Sequence, residues 1–366
     1  TTLQDHFSLF FSITFKGIIV FNYNVKMSEN SMSTIKDVAR LANVSVATVS
    51  RVMNNSPKAS AASRVAVQRA ITELGYTPNA NARALANQCC DTFGVVVGDV
   101  ADPFFGALVK GVGTVTTEQG LHLLMGNGRH TADAEREAIE LLIARRCEGL
   151  VVHSKALSDD ELLQYAERIP GLVLINRYIP ALQVRCIALN NQQGTTLATR
   201  HVLAQGHVKI AYLGSNRPIE DAESRLNGYR DALICAGIAP SDELIEFAQP
   251  NEEGGEQATL NLLAKGAKLT AIVTYNDAMA AGALSVLADN GVKVPEEVSV
   301  IGFDDIIYAR YLRPKLTTMR YPIELMAAQA TRLSLALIRG ESSPEHSRIY
   351  TPLLINRQSV ARPMSE

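Results

Sequence analysis

Residues 34–54 read TIKDVARLANVSVATVSRVMN, and their pattern predicts two short helices joined by a tight turn. Thr34 and Ser45 each precede a run in which apolar residues recur every three or four positions, as helix N-caps do. The connection between the two runs, residues 42–44 (ANV), is only three residues long. This arrangement is typical of a helix-turn-helix.

The second of these helices has an unusual outer face. Val46 and Ala47 share that face with Arg51, where a solvated helix would normally carry Lys or Glu. Val49 and Val52 lie on the opposite, inward face. The outer face is therefore either an ordinary surface with two apolar residues or a surface shaped for a partner.

A third helix is predicted over residues 61–74, AASRVAVQRAITEL. Ser60 is placed to cap its start and Gly75 to stop it. We therefore assign residues 32–77 to an all-α, three-helix domain. Residues 78–90 follow as a short linker, in which ANARALANQ has helical composition but is too short to be stable alone.

Charge is distributed unevenly along the chain. Residues 32–90 contain seven basic and two acidic residues, a net charge of +5, whereas the whole chain carries −2. Residues 1–31 are neutral, so residues 91–366 carry −7. A basic segment beside an acidic body favours a nucleic-acid partner, although a solvated charge cluster would give the same count.

From residue 92 onward, apolar runs such as TFGVVV, GLVLI and TAIVT alternate with helical stretches. Such alternation predicts an α/β doubly wound fold with parallel sheets, and the number of strands favours two similar lobes. Ligands of such folds bind beyond the carboxyl ends of the strands. The polar pairs at 176–177, 276–277 and 304–305 follow predicted strands and are candidates for that site.

Other classes of protein fit the sequence poorly. No Ser/His/Asp set, metal cluster or phosphate-binding loop stands out, so we expect neither enzyme activity nor a cofactor. The five cysteines lack zinc spacing and fit free thiols in the cytoplasm. Residues 1–31 are apolar but make a poor membrane span or signal peptide, so we expect a disordered extension or a misassigned start. A membrane anchor is the alternative.

Several collinear motifs resemble the lactose-repressor family of bacterial transcription regulators. They are TIKDVARLANVSVATVSRVMNN, GYTPNANARALA, DPFFGALVKGV, YNDAMAAGALSVL and IGFDDI. The resemblance covers residues 32 to about 362. NARALANQ, VVGDVADPFFGALVK, LVLINR, GGEQA and LTTMRYPI resemble the family's regulators of galactose operons in particular.

The resemblance implies a homodimer that binds double-stranded, palindromic operator DNA. It also implies a galactose-like sugar effector held between two lobes like those of periplasmic sugar-binding proteins. By comparison with the family, residues 91–362 form that body. Its N-lobe comprises residues 91–188 plus 320–350, and its C-lobe residues 189–319 plus 351–362.

In the family, the positions matching Val46, Ala47 and Arg51 read bases in the major groove. Arg51 can donate two hydrogen bonds to a guanine edge, and the small apolar residues can abut thymine methyls. Candidates for phosphate contacts, or for plain caps and turns, are Thr34, Ser45, Thr48, Ser50, Asn54, Lys58, Ser63, Tyr76 and Asn79. The family usually has glycine where this chain has Asn43, so we expect a small loss of stability there.

The linker and the body supply the remaining site residues implied by the resemblance. Arg83, Ala84 and Leu85 match a hinge helix that folds on DNA, with the leucine wedged into a minor-groove step. The positions expected to hold the effector are Phe104, Phe105, Asn176, Arg225, Asn276, Phe303 and Asp304. Core packing is the alternative for the Phe residues, and Asp277 and Asp305 are expected to be helix caps.

Two alternative functions remain open at this stage. A regulator of the same family could bind DNA only together with a purine-like corepressor. The α/β body alone could also serve as an exported sugar-transport protein, but the basic segment before residue 91 would then have no role.

Overall fold

The computed structural model describes residues 33–53, 56–76, 91–341 and 348–364. These residues form two compact units, one within 33–76 and one within 91–364. The predicted extension at 1–31 and the predicted hinge at 78–90 lie outside the described residues.

The first unit consists of three helices: α1 (Ile35–Leu41), α2 (Val46–Met53) and α3 (Ala61–Leu74). Thr34 forms a capping box with Asp37, and Gly75 ends α3 at φ 57°. Asn43 adopts a positive φ of 50° in the turn between α1 and α2, the conformation for which glycine is favoured. Buried side chains from all three helices form one core, so the helix-turn-helix prediction is confirmed.

The second unit alternates strands and helices along its whole length. The first half contains β1 (Thr92–Val97), α4 (Pro103–Glu118), β2 (His122–Asn127), α5 (Ala132–Ala144), β3 (Leu150–Val152), α6 (Asp159–Arg168), β4 (Leu172–Ile175), β5 (Cys186–Leu189) and α7 (Asn191–Ala204). The second half contains β6 (Ile210–Ser215), α8 (Glu220–Cys235), β7 (Ile245–Ala248), α9 (Glu252–Ala264), β8 (Ala271–Thr274), α10 (Asp277–Asp289), β9 (Ser299–Asp304), α11 (Tyr308–Tyr311), β10 (Thr317–Arg320), α12 (Ile323–Ile338), β11 (Ile349–Tyr350) and β12 (Leu353–Ile355).

These strands form two six-stranded sheets, and each sheet defines one lobe. The order is β11-β5-β4-β3-β1-β2 in the N-lobe and β12-β10-β9-β8-β6-β7 in the C-lobe. All pairings are parallel except that of β10 with β12. The chain passes between the lobes after β5, after β10 and after β11, because α7 packs in the C-lobe and α12 in the N-lobe. The predicted α/β architecture is confirmed.

Helices cover both faces of each sheet, which explains the continuous apolar runs in the sequence. Every residue of β4 and β8 is buried, as are the last five residues of β1. Because the strands are parallel, their carboxyl ends lie along one edge of each sheet. In the part of the chain that the structure describes, no helix has the length and apolar character that a membrane crossing requires.

Glycines allow some of the covering helices to approach closely. A Cβ added at Gly282 in α10 would lie 2.1 Å from the carbonyl oxygen of Glu252 in α9. In contrast, a Cβ added at Gly106 in α4 would meet no atom within 4 Å.

We therefore expect Gly282→Ala to lower the free energy of unfolding by about 1–3 kcal/mol, because a backbone carbonyl cannot rotate away from the new methyl group. Gly106→Ala is the matched control and should leave stability unchanged or raise it by up to about 1 kcal/mol. Urea unfolding followed by circular dichroism measures both. A Gly282→Ala variant as stable as the parent would contradict this helix packing.

Candidate functional sites

Among the described residues, the outer face of α2 is exposed. Val46 is 42 % exposed, and Ala47 and Arg51 are exposed as well, whereas Val49 and Val52 are buried. The Arg51 guanidinium makes no hydrogen bond or ion pair to another described residue. The predicted orientation of this helix is confirmed, and its unusual face is available to a partner.

Several candidate phosphate contacts also perform local capping. The Thr34 hydroxyl donates to Asp37 Oδ2 at 2.6 Å, and Ser45 Oγ accepts the Thr48 amide at 3.1 Å. Ser63 Oγ lies 2.9 Å from Ser60 Oγ. Lys58 is exposed, whereas Ser50 and Tyr76 are half-buried. Other predicted DNA contacts lie outside the described residues, namely Asn54, Asn79, Arg83, Ala84 and Leu85.

A polar cavity of about 360 Å³ lies between the two lobes of the second unit. Its walls come from the carboxyl ends of β1, β2, β3, β4, β6, β7, β8 and β9 and the segments that follow them, the edge at which a ligand is expected. Phe104, Phe105, Asn176, Arg225, Asn276 and Asp304 line it, so six of the seven predicted effector residues are brought together.

Several contacts hold the Arg225 side chain in place in this cavity. Its Nε donates to Asn191 Oδ1 at 2.9 Å, and Nη1 donates to the carbonyl of Tyr275 at 2.6 Å. The guanidinium lies 3.8 Å from the centre of the Phe303 ring. A third, longer contact of 3.5 Å joins Nη2 to Asp304 Oδ1. Because a guanidinium has five N–H groups, two remain for a ligand.

Phe303 differs from its prediction. Its side chain is only 1 % exposed and does not line the cavity. Strand alternation turns the ring beneath Arg225, so Phe303 supports the guanidinium instead of stacking on a ligand.

Asp304 lies at the end of β9 in a strained conformation, with φ 110°. The next residue, Asp305, has φ 57° and a buried carboxylate that accepts Arg320 Nε at 2.7 Å and Arg357 Nη2 at 2.5 Å. Backbone strain of this kind persists only where surrounding contacts enforce it. Asp305 therefore anchors the turn that presents Asp304, and the prediction of a helix cap at Asp305 was wrong.

Burial raises the pKa of Asp304 to about 7, although the Arg225 guanidinium opposes this shift. The carboxylates of Asp102 and Asp221 raise the pKa further. The cavity therefore contains a carboxyl group that changes protonation near neutral pH.

Asn276 caps α10, and this position was predicted for Asp277. Asn276 Oδ1 accepts the Met279 amide at 2.9 Å, and Nδ2 donates to the Pro250 carbonyl at 2.9 Å. One amide hydrogen of Asn276 is left for a ligand. Asp277 instead accepts Thr318 Oγ1 at 2.6 Å and the Ile306 amide at 2.9 Å, so it ties β10 and the loop after β9 to α10.

Two buried polar atoms at the cavity have no hydrogen-bond partner among the described residues. They are Asn176 Oδ1 and His153 Nδ1. Burial lowers the pKa of His153 to about 3 and that of His130 to about 4, so both imidazoles are neutral near pH 7. Buried polar atoms without partners are rare in proteins, so each of these atoms is a candidate to bind a ligand hydroxyl.

The aromatic side of the cavity comes from the start of α4. Phe105 is buried and meets the His153 ring edge-on at 4.9 Å. Phe104 packs against Phe105 at 5.2 Å and against Tyr321 at 5.0 Å, both edge-on. These rings give the polar cavity an apolar wall.

Sequence reasoning missed several residues that line the cavity, namely Asp102, His130, His153, Lys155, Arg217, Asp221 and Tyr275. His153 directly follows β3, so the strand-end rule could have found it. No local pattern marks Lys155 or Asp221, which come together only when the lobes pack.

Glu135 of α5 positions the loop that carries two of the missed residues. Its buried carboxylate accepts Ser154 Oγ at 2.5 Å and the backbone amides of Lys155, Ala156 and Leu157 at 3.1–3.2 Å. These bonds fix the chain on either side of Lys155. The cavity wall from β3 is therefore preorganised.

Two protein-family models match this chain. Residues 34–79 match the model of bacterial regulatory proteins of the lacI family. Residues 199–360 match the model of a periplasmic binding protein-like domain. The matches fall on the helix-turn-helix unit and on the α/β body.

Individual proteins extend the likeness over most of the chain. The HTH-type transcriptional regulator GalR of Escherichia coli is 57% identical over 335 residues, covering 92% of this chain and 98% of that protein. The HTH-type transcriptional regulator GalS of Salmonella typhimurium is 52% identical and covers 90% and 97%. The lac repressor dimer bound to operator and the anti-inducer ONPF has a TM-score of 0.78 at 27% identity, covering 90% and 99%.

The Asp304 carboxyl should titrate near pH 7 in the ligand-free protein, about three units above an exposed aspartate. Carboxyl ¹³C NMR between pH 5 and 9 measures this, with Asp304→Asn identifying the resonance. Both cavity histidines stay neutral in that range and do not obscure the transition. Arg225→Met should raise the midpoint, because the guanidinium favours the ionised carboxylate; a midpoint at or below pH 5 would contradict the burial of Asp304.

Proposed function

The chain belongs to the LacI family of bacterial regulatory proteins, and we propose that it is a homodimeric repressor of a carbohydrate operon, released from double-stranded operator DNA by a galactose-like sugar. The observation that carries the proposal is the preorganised polar cavity between the lobes, with Arg225 and Asp304 at its centre. A DNA-binding regulator acts where the chromosome is, so we place it in the cytoplasm.

The cavity provides what a hexose needs for recognition. Arg225 has two spare N–H donors, Asp304 provides carboxylate acceptors, and Asn176 Oδ1 is an acceptor without a partner. Phe104 and Phe105 offer an apolar wall for the ring face. Arg225 and the loop that carries Lys155 are already held in place, so little conformational entropy is lost when a ligand binds.

The α2 face supports the DNA-binding half of the proposal. Val46 and Ala47 can approach thymine methyls while Arg51 pairs with a guanine edge. Lys58 and the hydroxyls of Ser45 and Ser63 are suited to phosphate oxygens, and Thr34 remains a candidate if its hydroxyl turns away from Asp37. The same proposal includes a hinge role for Arg83, Ala84 and Leu85. It also includes the predicted lobe boundaries.

A corepressor mechanism within the same family makes the opposite prediction for DNA binding. Galactose and hypoxanthine can therefore be titrated separately into a gel-shift assay with operator DNA. Release by galactose supports the proposed repressor, whereas tighter DNA binding with hypoxanthine contradicts it.

Arg51→Ala should weaken binding to operator DNA far more than binding to random DNA. A lost bidentate guanine contact corresponds to about 1–3 kcal/mol of base discrimination. Lys58→Ala is the control, because loss of a phosphate contact weakens binding to both DNAs alike. Fluorescence anisotropy at fixed salt compares them, and an equal loss for Arg51→Ala would assign Arg51 to phosphate.

Asp304→Asn should lower galactose affinity by roughly 10- to 100-fold, because neutral hydrogen bonds replace those to a carboxylate. Operator binding should be unchanged, so that the variant no longer responds to inducer. Asp242→Asn is the matched control, because Asp242 is an exposed carboxylate of the same lobe. Normal induction of the Asp304 variant would remove this residue from the effector site.

A further inference from the structure

The side chains of Asn176 and Asp221 stand between two cavities. Both residues line the 360 Å³ effector cavity and also a second, polar cavity of about 240 Å³. Asn190, Gln192 and Ser224 contribute polar groups to the second cavity. The side chains of Asn176 and Asp221 therefore separate the effector cavity from a neighbouring cavity that is also polar.

Asp221, on α8 of the C-lobe, is fixed by both lobes. Lys155 Nζ of the N-lobe donates to Asp221 Oδ1 at 2.8 Å, and Asn176 Nδ2 of the same lobe donates to Oδ2 at 2.8 Å. Asn191 Nδ2 adds a 3.2 Å bond to Oδ1 from the C-lobe. Lys155 also donates to the backbone carbonyl of Asn176. We call Lys155, Asn176 and Asp221 the partition.

The partition is costly to open. The side chains of Lys155 and Asp221 are 7% and 8% exposed, so both charges are withdrawn from water. Separating such a pair leaves an uncompensated buried charge on each side. A ligand large enough to displace Asp221 would have to bear that cost, which a ligand confined to the first cavity avoids.

We propose that the partition determines effector size: the second ring of a disaccharide or bulky glycoside extends toward the second cavity, so the partition admits a monosaccharide and excludes the larger ligand. This inference rests on the proposed sugar-binding function and deepens it. The effector cavity is near the lower end of the roughly 300–1,000 Å³ range of small-molecule sites. Lys155 and Asp221 are specificity-determining residues in this account.

The test is calorimetric titration of the full-length chain with galactose, glucose, ribose, melibiose, lactose and cellobiose. The parent protein should bind a monosaccharide and no disaccharide within tenfold of that affinity. The double variant Lys155→Ala/Asp221→Ala removes both charges together and should gain at least tenfold in affinity for a disaccharide. A parent protein that binds a disaccharide as well as a monosaccharide, or a double variant with no gain, would overturn the proposal.

The same panel separates this inference from the proposed function. If the parent protein prefers glucose or ribose and excludes every disaccharide, the galactose assignment fails while the partition stands. If it binds galactose and melibiose equally, the galactose assignment stands and the partition fails.

Three further variants show whether loss of folding affects the result. Asn176→Gly shortens the partition without leaving a charge, and the φ of 57° at this position suits glycine. Its affinity for a disaccharide should rise relative to its affinity for galactose, because both sugars lose the Asn176 acceptor and only the disaccharide gains space. Lys155→Ala and Asp221→Ala alone should each lower the Tm by more than the double variant does, because each leaves one buried charge unpaired. Additive effects of the two single variants would show that the pair is not formed.

Discussion

Buried charges must be compensated, and this constraint organises the cleft on which the proposed function depends. Among its charged groups, two cations, Lys155 and Arg225, and two carboxyl groups, Asp221 and Asp304, have side chains that are at most 10% exposed. Arg225 and Asp304 lie within the C-lobe, whereas the bond from Lys155 to Asp221 crosses between the lobes. Loss of either Lys155 or Asp221 would leave the charge of the other uncompensated in a low-dielectric site.

Much of the fold and part of the cleft could be predicted from the sequence because their signals are local. Alternating apolar runs and helices predict the sheets, and polar residues after strands predict Asn176 and Asp304 at the ligand edge. The apolar spacing of α2 similarly predicts which face points outward. Each of these inferences needs only the period of a helix or strand and the direction of parallel strands.

Other features of the cleft could not be predicted, because they depend on tertiary packing or on which of two neighbouring residues takes a given role. Lys155 and Asp221 are brought together only by the packing of separate lobes, and no local pattern links them. The cap of α10 is Asn276 and not its neighbour Asp277, whose carboxylate is used by β10 and the loop after β9. Phe303 was predicted to contact the effector, yet the alternation of side chains along the strand places its ring beneath Arg225.

The central claim is that occupancy of the cleft and binding of DNA oppose each other. Linkage requires such a coupling to be reciprocal. Bound DNA must therefore lower the affinity for the sugar by the same factor by which bound sugar lowers the affinity for DNA. Calorimetric titration of galactose into the full-length dimer, alone and then saturated with operator DNA, measures this directly. We expect the protein to bind galactose roughly 5- to 150-fold more weakly when it is bound to DNA. Equal or tighter galactose binding in the DNA complex would contradict it.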